Sequence, residues 1–213
     1  MPQRTTSGVL AAVTLWRLLI VTFAFIGFSQ YFQGRMVNLA FLTQQGNLAT
    51  GIVYAGLALY PLFTNGQRHE PRSGWVRGAM CVTMALISVT YLTMMSGSLD
   101  HTRDLFSHLL TPILVLIDWL LVGRNQTSSP WWHPLTWPVF SIAYVAFYLA
   151  YDPTFHDKYG RDIYDFLNPR DGGFFGRIME FLLAELLFAY VIWMLAQARK
   201  LSAQHPQQPG YYR

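Results

Sequence analysis

The sequence predicts an all-α protein, a bundle of six transmembrane helices forming a single domain over residues 1–213. Two observations carry this expectation. Only 12% of the 213 residues are charged while 53% are hydrophobic, whereas soluble domains are about 25% charged. The apolar residues are also gathered into six stretches, each near the roughly 20 residues that a helix needs to cross a bilayer. High hydrophobicity excludes a disordered chain, and the scarcity of polar residues excludes a soluble enzyme, whose surface they would have to cover.

The first stretch, residues 9–32, carries Arg17. It is too long for a signal-peptide core of roughly 7–15 residues and lacks a clear cleavage pattern, so an uncleaved span is expected. The second, residues 37–63, is interrupted by Thr43, Gln44, Gln45 and Asn47. The third, residues 75–95, holds the only cysteine, Cys81. One cysteine permits no internal disulfide and no cysteine-based metal site, so Cys81 reads as a small buried hydrophobe. The fourth, residues 105–122, contains His108 and Asp118; the fifth covers residues 135–151; the sixth, residues 174–198, contains Glu180 and Glu185. The connection 152–173 mixes charges with Phe155, Tyr159, Tyr164 and Phe166. It reads either as a solvated loop or as a flap packed on the mouth of the bundle. The tail 202–213, rich in Gln and Pro, reads as a mobile terminus.

Six spans put both chain termini on one side. That side collects eight Lys and Arg residues, Arg77 among them, against six on the other. The bias makes both termini cytoplasmic in a cell membrane, with Trp131 and Trp132 in an interfacial aromatic belt. The net charge of +4 is spread over loops rather than along one stripe, so no nucleic-acid partner is expected.

Ionisable groups inside a bilayer are costly and usually face a cavity or one another. Helices two, four and six enter from the same side. At 1.5 Å per residue, Thr43 then lies about 9 Å in, His108 about 6 Å and Glu180 about 9 Å. A threonine hydroxyl needs an adjacent base, most often histidine, to act as a nucleophile. The developing oxyanion needs donors, for which Gln44, Gln45 and Asn47 are suitable types, and Glu180 is placed to orient His108. Thr43 can equally bond a backbone carbonyl as a helix-packing residue. Asp118 suits Arg17 as a structural partner, and Asp118, Tyr164 and Glu185 are pocket or structural candidates. Glu180 and Glu185 stand about 140° apart around a helix, so they cannot share one site. His108 has no second histidine on its helix face, so no metal is expected, and no cofactor. Two function classes remain open from these residues: a hydrolase built on Thr43 and His108, or an ion-coupled transporter using Arg17, Asp118 and Glu185 as a relay. No inverted repeat or Gly/Pro-broken helix pair points to the transporter.

Phe41-Leu42-Thr43-Gln44-Gln45-Gly46-Asn47-Leu48 resembles the Phe-Thr-x-Gln-x-Asn stretch of a family of six-span membrane proteins. That family includes the androgen-induced protein, the androgen-dependent TFPI-regulating protein and bacterial relatives. His108-Leu109-Leu110-Thr111-Pro112 with Leu116-Ile117-Asp118-Trp119-Leu120-Leu121 is similar to its His-x-x-x-Pro…Leu-Asp-Trp helix. Tyr164-Asp165-Phe166-Leu167-Asn168 is similar to its region before the last span. Order and spacing agree from about residue 36 to 195. The resemblance implies an intramembrane threonine hydrolase that cleaves fatty acid esters of hydroxy fatty acids or similar lipid esters, with Thr43 and His108 as the two essential residues. Gly46, Gln44 and Asn168 depart from the family pattern and bear on substrate identity. The lipid ester is expected to enter from the bilayer, with membrane lipids as the surroundings.

Overall fold

The computed structural model describes residues 7–204. Among the described residues six helices are long and apolar enough to cross a membrane, so the chain is a multi-pass membrane protein. They are α1 (Ser7–Phe32), α2 (Leu42–Phe63), α3 (Trp75–Met94), α4 (Thr102–Val122), α5 (Val139–Tyr159) and α6 (Phe174–Gln204). A short turn, His133–Thr136, precedes α5. There is no strand among the described residues. Large side chains such as Leu62, Phe63, Phe175 and Leu187 are at least 70% exposed. Those side chains are compatible with a hydrocarbon surround and not with water. The middle of α3 is half buried against 22% for α1 and α6, so α3 is the axis about which the others pack.

Three boundaries differ from expectation. The second apolar stretch breaks at Phe41, whose extended backbone (φ −83°, ψ 136°) separates a short 3₁₀ turn, Met36–Ala40, from α2. Thr43 is therefore the second residue of a helix, and a depth counted along one helix from residue 37 does not apply. α5 continues to Tyr159, where Gly160 adopts a left-handed conformation (φ 67°) that only glycine takes without strain and so ends the helix. Residues 202–204, expected in a mobile tail, continue α6; residues 205–213 lie outside the described residues.

Residues 161–173 fold back onto the bundle, as a packed flap rather than a solvated loop. The Asp152 carboxylate accepts the Ile163 N–H at 3.0 Å. Asp162 binds His156 at 2.7 Å and also pairs with Arg170. The Tyr148 hydroxyl donates to the Leu167 carbonyl at 2.5 Å. Ile163, Leu167, Phe155 and Phe174 close a small apolar core beneath the flap.

The end of the bundle that carries the termini is locked by charges. Arg77 Nε meets Asp118 Oδ2 at 2.7 Å, and Arg17 Nη2 meets Glu70 Oε2 at 3.1 Å. Arg17 Nε faces Asp118 Oδ1 at 3.6 Å, as the sequence suggested, but Arg77 is the closer partner. Glu70 Oε1 accepts the N–H groups of Arg124 and Asn125 at 2.8 and 2.7 Å. All four ionisable side chains are buried, with two cations matching two anions, the arrangement that low dielectric tolerates. Arg77 is thus a core residue rather than a loop marker, which reduces the Lys/Arg count on that side from eight to seven. Gly123 is required here by close approach: a Cβ would stand 1.9 Å from Arg77 Nη2.

Candidate functional site

Pro112 shapes the site from within α4. Proline has no N–H to give the carbonyl four residues back, and its ring crowds that carbonyl; here it belongs to His108. The turn Phe106–Leu110 accordingly widens to a π-helical turn, and Ser88 Oγ of α3 donates to the released His108 carbonyl at 2.6 Å. π-helical turns often accompany functional residues. α1 can approach this turn because Gly27 presents no side chain: a Cβ there would lie 2.5 Å from Ser107 Oγ.

The turn aims His108 at Thr43, with His108 Nε2 and Thr43 Oγ1 3.2 Å apart. The imidazole is buried and stacks face to face on Tyr91, with ring centroids 3.6 Å apart and planes 5° from parallel. On the other ring nitrogen, Nδ1, the group within reach is Asp104, whose Oδ1 lies 3.9 Å away and one helical turn back. Asp104 Oδ2 is held by Arg103 at 3.4 Å. A carboxylate facing Nδ1 favours the proton on that nitrogen and leaves Nε2 as an acceptor for the Thr43 hydroxyl.

Thr43 sits where α2 begins, so the Leu42 and Thr43 N–H groups have no intrahelical partner, while those of Gln44 and Gln45 donate to the Phe41 carbonyl at 3.0 and 3.2 Å. The flap answers this: the Tyr164 hydroxyl accepts the Leu42 N–H at 3.0 Å. Burial pushes the Tyr164 pKa up to about 12, against the Leu42 N–H, which lowers it. Tyr164 therefore keeps its proton at neutral pH. Thr43 and Tyr164 line one cavity of about 70 Å³, together with Leu86, Tyr144, Phe181 and, on α6, Glu185. The helix N-terminus adds a partial positive charge at the same place.

The structure sorts the remaining candidates. Asn47 Nδ2 donates to the Thr43 carbonyl at 2.9 Å and lies 3.5 Å from the Ser107 carbonyl. Its N–H groups are therefore committed to holding α2 against α4, which removes Asn47 as an oxyanion donor. Gln45 donates to the Leu39 carbonyl at 2.9 Å and lines a different hollow with Met36 and Tyr151, since successive helix residues point about 100° apart. Gln44 is fully buried, and neither its amide nitrogen nor its oxygen has a hydrogen-bond partner. Glu180 is exposed in a groove between α3 and α6 beside Val89 and Met94; Asp104, not Glu180, faces His108. Asp118 belongs to the charge lock with Arg17, while Glu185 is in the Thr43 cavity, bonded to Ser141 at 2.5 Å. The three residues of the transporter relay are thus divided between two places. Sequence reasoning missed Asp104, although its four-residue spacing from His108 was a readable signal. It also missed Tyr91 and Ser141, which no local pattern marks. No group of three or more His, Cys, Asp or Glu side chains suited to a metal ion occurs among the described residues.

No family model, curated protein or solved structure matches the chain.

Proposed function

We propose that this protein is an intramembrane hydrolase of lipid esters, with Thr43 as nucleophile and His108 as base. The observation that carries the reading is the 3.2 Å contact between Thr43 Oγ1 and His108 Nε2 at the wall of an apolar cavity. The resemblance of residues 41–48 and 108–121 to the threonine hydrolase family supports the same reading.

In this reading Thr43 Oγ1 attacks the ester carbonyl carbon while His108 Nε2 takes its proton. The tetrahedral oxyanion is met by the Tyr164 O–H and the N-terminus of α2. Asp104 stabilises the imidazolium across Nδ1, as the carboxylate of a triad does. Collapse of the intermediate breaks the bond to the leaving oxygen, which His108 protonates to release the alcohol. Water, deprotonated by the same imidazole, then frees the carboxylic acid from acyl-Thr43. The low-dielectric surroundings strengthen each electrostatic contact. The lipid enters laterally between helices, and the termini face the cytoplasm of the cell in which the protein resides. The test is ester turnover by purified protein on branched fatty acid esters. Wild type is expected to turn over, with Thr43→Ala and His108→Ala at background; equal turnover in all three overturns the reading.

A further inference from the structure

Glu185 is an unusual residue for an apolar cavity. It is 3% exposed, and Ser141 Oγ donates to its Oε1 at 2.5 Å. Its other oxygen, Oε2, is buried with no hydrogen-bond partner. Leaving a buried polar atom unpaired costs about 1–3 kcal/mol, so a purely structural carboxyl would be better replaced by an apolar side chain. The mechanism above does not use it.

Its position explains what reaches it. Glu185 lines the Thr43 cavity of about 70 Å³ and also a groove of about 310 Å³ between α3 and α6. Leu86, Thr90 and Phe181 are common to both. The inner cavity is far below the roughly 300–1,000 Å³ of pockets that hold a whole organic ligand. It has room for only a few atoms, so on the hydrolase reading the rest of a long chain would lie in the groove. Glu185 stands at the threshold between them, against a part of the chain that would otherwise be plain hydrocarbon.

We propose that Glu185, steadied by Ser141, is a subsite for a free hydroxyl group carried on the hydrocarbon chain of the lipid bound in this cavity. The proposal rests on the hydrolase reading only in taking the chain to be that of the substrate. A hydroxyl both donates and accepts, so it pairs with Oε2 whichever protonation state Glu185 holds. A carboxylate on the chain would meet a second carboxyl group and be disfavoured. An ammonium would have to shed its hydration to cross the apolar groove. An unsubstituted chain leaves Oε2 as unpaired as it is now.

The experiment measures binding of methyl octadecanoate, its positional mid-chain hydroxy isomers and a mid-chain amino analogue to purified Thr43→Ala protein, which cannot turn them over. At least one hydroxy isomer should bind about tenfold more tightly than the plain ester. Adding Glu185→Leu should abolish that preference, so that the hydroxy isomers bind no more tightly than the plain ester in the same variant. Glu185→Leu removes an unpaired buried atom but also takes the acceptor from Ser141 Oγ, so a thermal melt of each variant accompanies its binding curve; Glu185→Gln, which keeps a donor and an acceptor, should retain part of the preference. Equal affinity for plain and all hydroxy esters overturns the subsite, as does a preference that survives Glu185→Leu or tighter binding of the amino analogue. Turnover by wild type is read separately. Hydrolysis without a hydroxyl preference overturns the subsite alone, and a Glu185-dependent preference without hydrolysis overturns the enzymatic reading alone.

Discussion

At the end that carries the termini, Arg17, Glu70, Arg77 and Asp118 are spent on one another and on nearby backbone groups; even Arg17 Nε and Asp118 Oδ1, which lack a hydrogen bond, face each other at 3.6 Å. At the opposite end, His108 Nδ1, Asp104 Oδ1, both amide atoms of Gln44, Ser107 Oγ and Glu185 Oε2 are buried without hydrogen-bond partners. Both regions put costly polar groups inside an apolar bundle. The first pairs two cations with two anions and so holds four segments of the chain together as a clasp, although both ring nitrogens of the neighbouring His69 lack hydrogen-bond partners. The second has no such set of paired charges and gathers its unpartnered atoms around the Thr43–His108 contact.

The largest expected effect breaks the site and spares the clasp. Thr43→Ala should lose at least about 10³-fold in ester turnover while the melting temperature stays near wild type, read by an activity assay beside a thermal melt. The mirror experiment breaks the clasp. Arg77→Ala leaves Asp118 and Glu70 undercompensated, at about 3–5 kcal/mol of stability. Denaturant titration should show that loss, with turnover per folded molecule changed by no more than about twofold. A fall in turnover as deep as that of Thr43→Ala would show that the two ends are one functional unit.

How much of this contrast was readable in the sequence depends on the range of the interactions. The spans were legible because about 20 consecutive apolar residues have few other stable placements. The Thr43–His108 contact was expected from residue chemistry, a threonine hydroxyl beside a histidine, and from the family resemblance; the depth count that also matched them does not hold across the helix break at Phe41. Arg77 and Glu70 were not legible as a core, because charges at the ends of apolar stretches look like topology markers until the loops 64–74 and 123–129 close over them. Asp104 escaped notice because it stands just outside the apolar stretch that begins at residue 105, where a carboxylate reads as a loop charge; Glu180, chosen for its matching depth, faces the groove between α3 and α6 instead. The role of Tyr164 needed the flap to fold back across 122 residues of sequence onto Leu42, and no local pattern encodes that.

Smaller effects sharpen the account of the site. Tyr164→Phe should lower kcat about 10²-fold, the scale of one oxyanion donor, with KM little changed. Asp104→Asn should lower kcat about tenfold, less than the roughly 10⁴-fold commanded by a closely bonded carboxylate in a triad, because its carboxylate stands 3.9 Å from the ring. An unchanged kcat in Asp104→Asn would remove it from the mechanism.

The smallest effect belongs to the clasp. Burial holds the His69 imidazole below its ordinary value, against the pull of Glu70 in the opposite direction. The unfolded chain therefore binds a proton near pH 6.5 that the folded chain refuses, and stability should fall as pH drops through that value. Stability measured against pH should show this slope in wild type and a flatter one in His69→Gln.

The central claim is that Thr43 itself becomes acylated. A long-chain alkyl fluorophosphonate mimics the ester carbonyl and traps an activated hydroxyl as a covalent adduct. Mass spectrometry of the labelled protein should place the adduct on Thr43 in wild type, with labelling lost in His108→Ala. Labelling at another residue, or none at Thr43 while ester turnover persists, would contradict the account.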